Sequence, residues 1–315
     1  MPIGCMKRLF TDAGRIDPFA GDGRSRRFMV SMYYPSAAAE QVDDGAAAAA
    51  AYPIVLLSPG FGVERDMYAF AVQKLAASGF VVLTVGATYE SVSTVFPNGE
   101  EITQLPELAN LQLTDWQGWN SLLDVRVQDL TFVLNQLDVL NELDPVLRGR
   151  LNVQQVGIVG HSLGGAAAYH VLDRHESDRV KAGILLDPSL HLLGSVRTKV
   201  HTPVLLMRQN ASTYEMLLSS GWAESLASET IAGQRHLADV LTGYRCFVRV
   251  HGANHLTFSD VSGAEAGLAE KHELIATAIA DFMLEFVCGV AGQHSNRVHS
   301  YAGLSVIRGD GHSAG

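Results

Sequence analysis

Three side chains in this sequence could together break an acyl bond. Gly160-His161-Ser162-Leu163-Gly164 follows the apolar run Val156-Gly157-Ile158-Val159 and precedes Gly165, Ala166, Ala167 and Ala168. A G-x-S-x-G pattern in that setting predicts a strand, a sharp turn and a helix, with the serine hydroxyl raised above the strand end. The flanking glycines allow strand and helix to approach where side chains would collide. A hydroxyl is a weak nucleophile at neutral pH. Ser162 therefore needs a base within hydrogen-bond reach, and the base needs an acid that fixes its tautomer.

With such a turn the chain order is nucleophile, acid, base. Asp187 closes Ala182-Gly183-Ile184-Leu185-Leu186, the strand expected after the elbow helix, which places a carboxylate at the same sheet edge as Ser162. The competing position is the end of the following strand. Arg208, Gln209 and Asn210 offer no carboxylate there and Glu215 is the nearest, so Asp187 is the better choice. The base belongs in the loop after the last strand, where Gly252-Ala253-Asn254-His255-Leu256 supplies His255. His251 reads as a packing residue and His161 as one held by elbow contacts without a base role. A tetrahedral intermediate also requires two preorganised donors. Leu163 N–H, next to the nucleophile, is one. Phe61 N–H, after the strand at 53–57, is the other, because Pro59 has no N–H and Gly60 permits close approach; Gly62 is the fallback.

Those residues need a scaffold. At 315 residues and 47% hydrophobic content the chain can bury a large core, and no linker or charge block divides it, so a single domain is expected. Continuous apolar runs at 53–57, 80–85, 182–186, 203–207 and 246–250 predict buried strands. They alternate with helices over 66–78, with Gly79 as the cap, over 120–143 and over 264–288. That order implies an α/β fold, a mostly parallel sheet with helices on both faces. Residues 27–34 read as an antiparallel strand near the sheet edge, and Pro97-Asn98-Gly99 as a turn. Leu123, Val127, Leu130, Leu134 and Leu137 form the apolar stripe of the 120–143 helix. The alanine run from Ala46 to Ala51 reads as a surface insertion. Beyond residue 288 a polar, glycine-rich tail is expected to lie outside the core.

The formal net charge of −10 argues against nucleic acid or an anionic membrane surface as the main partner. Cys5, Cys246 and Cys288 form neither a disulfide framework nor a metal-binding pair, which fits a reducing compartment. No secretory signal or membrane span is legible, so a cytoplasmic protein is expected. His294, His299 and His312 lack metal-ligand spacing, and no metal is expected. The segments around Trp119 and Trp222 fall outside the strand and helix alternation, where such folds build pockets, so both indoles are candidate pocket residues.

The sequence resembles the α/β-hydrolase superfamily, and within it the esterase and lipase branch similar to platelet-activating-factor acetylhydrolase. The resemblance rests on Asp17-Pro18-Phe19, Tyr34-Pro35, Ser58-Pro59-Gly60-Phe61-Gly62, Ala77-Ser78-Gly79-Phe80-Val81-Val82, the elbow at 160–165, the run ending at Asp187, and His255-Leu256-Thr257-Phe258-Ser259-Asp260. It covers roughly residues 17 to 288. It implies Ser162, Asp187 and His255 as nucleophile, acid and base, Phe61 and Leu163 as oxyanion donors, no cofactor, and a small-molecule ester or lipid-like substrate. Pro188 after the acid and Gly86-Ala87 after the strand at 80–85 depart from the branch pattern, in which glycine and Asp-His are common. The expected activity is carboxylic ester hydrolysis through an acyl-serine. A thioesterase, lactonase, acyltransferase or peptidase on the same triad, or a non-catalytic binder of this fold, are the alternatives.

Overall fold

Two faces of one sheet explain most of the apolar sequence. The structure, a computed structural model, describes residues 2–36, 51–174, 178–194, 199–263 and 265–314. All of the alanine run except Ala51 lies outside the described residues. The strands are β1 (Ile3–Ile16), β2 (Ser25–Pro35), β3 (Tyr52–Ser58), β4 (Val81–Val85), β5 (Ser93–Val95), β6 (Glu101–Thr103), β7 (Leu151–His161), β8 (Val180–Leu186), β9 (Val204–Arg208), β10 (Arg245–Val250) and β11 (Leu304–Val306). The helices are α1 (Ala69–Ala77), α2 (Pro106–Ala109), α3 (Trp116–Leu143), α4 (Leu163–Asp173), α5 (Tyr214–Ser219), α6 (Glu224–Val240) and α7 (Leu268–Phe286).

Among the described residues, nine strands form one sheet in the order β1-β2-β4-β3-β7-β8-β9-β10-β11. Neighbours from β4 through β10 are parallel, and β1, β2 and β11 pair antiparallel at the two margins. Successive side chains of a strand point to opposite faces. Accordingly Ile54 and Leu56 pack with residues of α3 and α4, whereas Val55 and Leu57 pack with residues of α1 and α7. The stripe Leu123, Val127, Leu130, Leu134 and Leu137 is buried in the first of these layers. The fold is a mostly parallel sheet with helices on both faces, as expected. Among the described residues no helix is long and apolar enough to cross a membrane.

Several expectations need correction. The N-terminal segment is β1, in which the charged Lys7, Arg8 and Asp12 interrupt the buried Met6 and Phe10; charge is normal on a sheet edge and breaks up the apolar run that would mark a strand. The tail past residue 288 is not outside the core. Its short β11 extends the sheet beyond β10, and Val298 and Ile307 are buried. The α3 helix begins at Trp116, because Asp115 caps it by accepting from Gly118 N–H at 2.9 Å. The segment at 214–222 contains α5, and the long α6 that follows was not expected. The first helix starts at Ala69 and the last at Leu268, later than their sequence patterns suggested.

Candidate active site

Strand β7 delivers Ser162 into a backbone conformation that non-glycine residues rarely adopt, with φ at 55° and ψ at −121°. Its surroundings enforce this. A Cβ on Gly160 would lie 2.1 Å from Gly164 O, and one on Gly164 would lie 2.2 Å from Ser58 O. Ser162 N–H donates to Leu186 O at 3.1 Å, and Ser162 O accepts from Ser189 N–H at 2.9 Å, so the elbow is stitched to the end of β8. Pro188 sits against Gly165, where an added Cβ would lie 2.7 Å from the proline Cβ.

Asp187 follows β8 with φ at 36° and is fully buried. Its N–H donates to Met207 O at 2.7 Å, which turns the carboxylate to the same edge as Ser162. His255 comes from the loop after β10. Asn254 caps the short turn His255–Phe258 by accepting from Leu256 N–H and Thr257 N–H, and Thr257 Oγ1 accepts from Asn254 N–H in return. The structure brings the three side chains together. His255 Nε2 lies 3.0 Å from Ser162 Oγ, and Nδ1 lies 2.6 Å from Asp187 Oδ2. Nδ1–H facing a carboxylate leaves Nε2 as the acceptor for the serine hydroxyl. Glu215, the competing acid, is exposed on α5.

Two further contacts hold Asp187, and neither was read from the sequence. Arg208 Nη1 lies 2.7 Å from Oδ1, and Gln209 N–H donates to the same oxygen at 3.2 Å. Burial alone would push the Asp187 carboxyl up. The Arg208 charge and the hydrogen bonds from His255 and Gln209 outweigh burial and hold it down at about 2. The carboxylate is therefore ionised throughout the neutral range.

His161 is buried inside a relay behind the elbow. Its Nε2 donates to His255 O at 3.0 Å, and its Nδ1 accepts from Tyr68 OH at 3.0 Å. Tyr68 OH accepts from Gly60 N–H at 2.8 Å. Burial, aided by the neighbouring His255, lowers the His161 imidazole to about 3, so it is neutral and structural. The relay links the loop before Phe61, the elbow and the His255 turn. His251 is exposed and bonds Ser305 of β11 at 2.6 Å, which corrects its reading as a packing residue: it projects beyond the strand end.

Of the two expected oxyanion donors, Leu163 directly follows Ser162 in the chain, and Phe61 belongs to a loop that passes beside it. Leu163 opens α4, where first-turn amides have no partner within the helix. Phe61 follows Gly60, whose added Cβ would lie 3.3 Å from Ser162 Cβ. Phe61 is braced by Trp119, with ring centroids 5.0 Å apart, and Trp119 Nε1 donates to Gln112 O at 3.0 Å. The two candidate pocket tryptophans do not meet. Trp222 lines a different space, a cavity of about 460 Å³ walled also by Gln209, Asn210, Asn254 and His255. Trp119 is buried on α3, within the helix and not in an excursion outside the strand and helix alternation.

Arg126 and Glu90, absent from the residues expected at the site, form an ion pair beside the Phe61 loop with 2.9 Å between Arg126 Nε and Glu90 Oε1. A signal was available. Arg126 falls between Leu123 and Leu130 at spacings of three and four, so a charge sits on the apolar face of α3 and demands a buried partner.

Comparison with known proteins agrees with this architecture. The family model described as "Platelet-activating factor acetylhydrolase, isoform II" matches residues 25–262. A probable 1-alkyl-2-acetylglycerophosphocholine esterase of Arthroderma benhamiae is 35% identical over 139 residues, 44% of this chain and 32% of that protein. The platelet-activating factor acetylhydrolase of Cavia porcellus is 27% identical over 177 residues, 50% of this chain and 39% of that protein. The matched segments thus span well under half the length of these curated relatives. A ferulic acid esterase from Streptomyces cinnamoneus shares the fold, with a TM-score of 0.79 at 24% identity over 98% of this chain and 96% of that one. The chain belongs to the platelet-activating factor acetylhydrolase isoform II family, on the α/β-hydrolase fold.

Proposed function

We propose that this protein is a serine hydrolase of carboxylic oxygen esters. The observation that carries the reading is the single imidazole placed 3.0 Å from Ser162 Oγ through Nε2 and 2.6 Å from Asp187 through Nδ1. His255 Nε2 takes the hydroxyl proton as Ser162 attacks the acyl carbon, and Asp187 keeps the ring in the tautomer that can do so. The oxyanion of the tetrahedral intermediate is held by the N–H groups of Phe61 and Leu163. Collapse releases the alcohol, protonated by His255, and leaves an acyl-Ser162. Water, deprotonated by the same imidazole, then attacks the acyl carbon and frees the acid.

The names of the curated relatives, an acetylglycerophosphocholine esterase and an acetylhydrolase, favour a short acyl group. Turnover of p-nitrophenyl esters from acetate to palmitate, beside the matched thioesters, tests the reading. Fast turnover of short oxygen esters that disappears in Ser162→Ala is expected. Preference for the thioesters, or turnover surviving in Ser162→Ala, would reject it.

A further inference from the structure

The loop carrying Phe61 has no ladder of its own to hold its carbonyls, yet an oxyanion donor works only if its direction is set before the reaction. Arg126, 2% exposed on α3, lies beneath it. Its Nη1 donates to Pro59 O at 3.1 Å and to Ser58 Oγ at 3.4 Å, and its Nη2 lies 3.5 Å from Gly60 O. On the other side its Nε lies 2.9 and 3.0 Å from the two carboxylate oxygens of the fully buried Glu90.

We propose that Arg126, anchored by Glu90, is a positioning residue for the oxyanion hole: by holding the Pro59 and Gly60 carbonyls it sets the direction of the Phe61 N–H. The inference rests on the serine hydrolase reading above. In a trans peptide the C=O of one residue and the N–H of the next point in opposite directions. Fixing Gly60 O therefore fixes Phe61 N–H. Gly60 O also accepts from Val63 N–H at 3.2 Å, closing a turn whose third residue, Gly62, has φ at 75°. A type II turn demands a positive φ at that place. The preceding peptide is clamped at both ends, with Pro59 O on Arg126 and Gly60 N–H on Tyr68 OH at 2.8 Å. The fork of a guanidinium can hold two successive carbonyls while facing a carboxylate, and an ammonium cannot. Neither Arg126 nor Glu90 bonds to a triad side chain among the described residues. Their effect on chemistry runs through the loop.

Arg126→Lys keeps a positive charge opposite Glu90 and loses the fork. Displacing a donor short of removing it should lower kcat for p-nitrophenyl acetate about 10- to 100-fold, with KM within about twofold and a cooperative unfolding transition retained. A boronic acid that forms a tetrahedral adduct on Ser162 should lose affinity by a similar factor, a readout that loosened packing would not match. Should Arg126→Lys fail to fold, Arg126→Met combined with Glu90→Met removes both buried charges together and carries the same expectation. A folded variant with wild-type kcat and boronate affinity overturns the proposal, as does a kcat loss with boronate affinity unchanged. Ser162→Ala separates the two levels. Turnover surviving there rejects the hydrolase reading, whereas its loss beside a fully active Arg126→Lys rejects only the role of Arg126.

Discussion

Arg208 Nη1 lies 2.7 Å from Asp187 Oδ1, with both side chains 1% exposed, while the other oxygen, Oδ2, faces the His255 ring. The carboxylate is held on one side and works on the other. A guanidinium so close keeps a buried carboxyl ionised, but it also neutralises part of the charge that would favour an imidazolium. We read Asp187 here mainly as the group that sets the ring's orientation.

Arg208→Met should expose the cost of this arrangement. Removing one partner of a buried ion pair destabilises by about 3–5 kcal/mol. The Asp187 carboxyl, held at about 2 by that charge together with its hydrogen bonds, must rise; with the guanidinium gone an imidazolium beside Asp187 is no longer opposed, so the acid limb of the pH–rate profile moves to higher pH. Urea unfolding and kcat/KM against pH check both parts. Wild-type stability together with an unmoved acid limb would show that the pair has no bearing on the acid.

The neutral His161 gives a stability signature with a definite sign. Its pKa falls from 6.5 in the unfolded chain to about 3 in the fold, so below pH 6.5 the unfolded chain takes up a proton that the folded one refuses. Stability from this site is complete above pH 6.5 and is lost as pH falls toward 3, by about 1.4 kcal/mol per pH unit. Replacing the imidazole, as in His161→Gln, should remove that increment from the slope of unfolding free energy between pH 4.5 and 6, roughly one proton's worth. Equal slopes in wild type and variant would contradict a neutral His161.

The two tryptophans should behave differently. Trp222 borders the cavity beside His255, which in the proposed mechanism protonates the departing alcohol, so Trp222→Ala should change the ranking of esters that differ in their alcohol. Trp119 braces Phe61 from inside the core, and Trp119→Ala should cost about 3–5 kcal/mol of stability and lower kcat with that ranking preserved. Relative kcat/KM over a set of acetates with different alcohols decides it. An unchanged ranking in Trp222→Ala would remove the cavity from the substrate's path.

What could be read from the sequence was whatever local pattern determines. The elbow is legible because Gly160 and Gly164 sit where any Cβ would strike backbone, and the central strands because burial on both faces leaves unbroken apolar runs. Strands β1 and β11 were not, since at sheet margins their polar residues are compatible with the fold and only pairing reveals them. The α6 helix escaped because its buried Ala227, Ile231 and Leu237 are spread among polar residues. Asp187 and His255 follow from chain order, but Arg208 and Arg126 do not. Their partners lie 21 and 36 residues away in sequence, and only the sheet and α3 bring them together.

The central claim is that Ser162 becomes covalently acylated. It is tested most directly by intact-protein and peptide mass spectrometry after treatment with a fluorophosphonate, in wild type and in Ser162→Ala. The account predicts one adduct per wild-type chain, mapped to Ser162, with ester turnover lost in proportion to labelling, and no adduct on Ser162→Ala. A wild-type chain that hydrolyses esters yet stays unlabelled, or an adduct on another residue with Ser162→Ala still active, would contradict it.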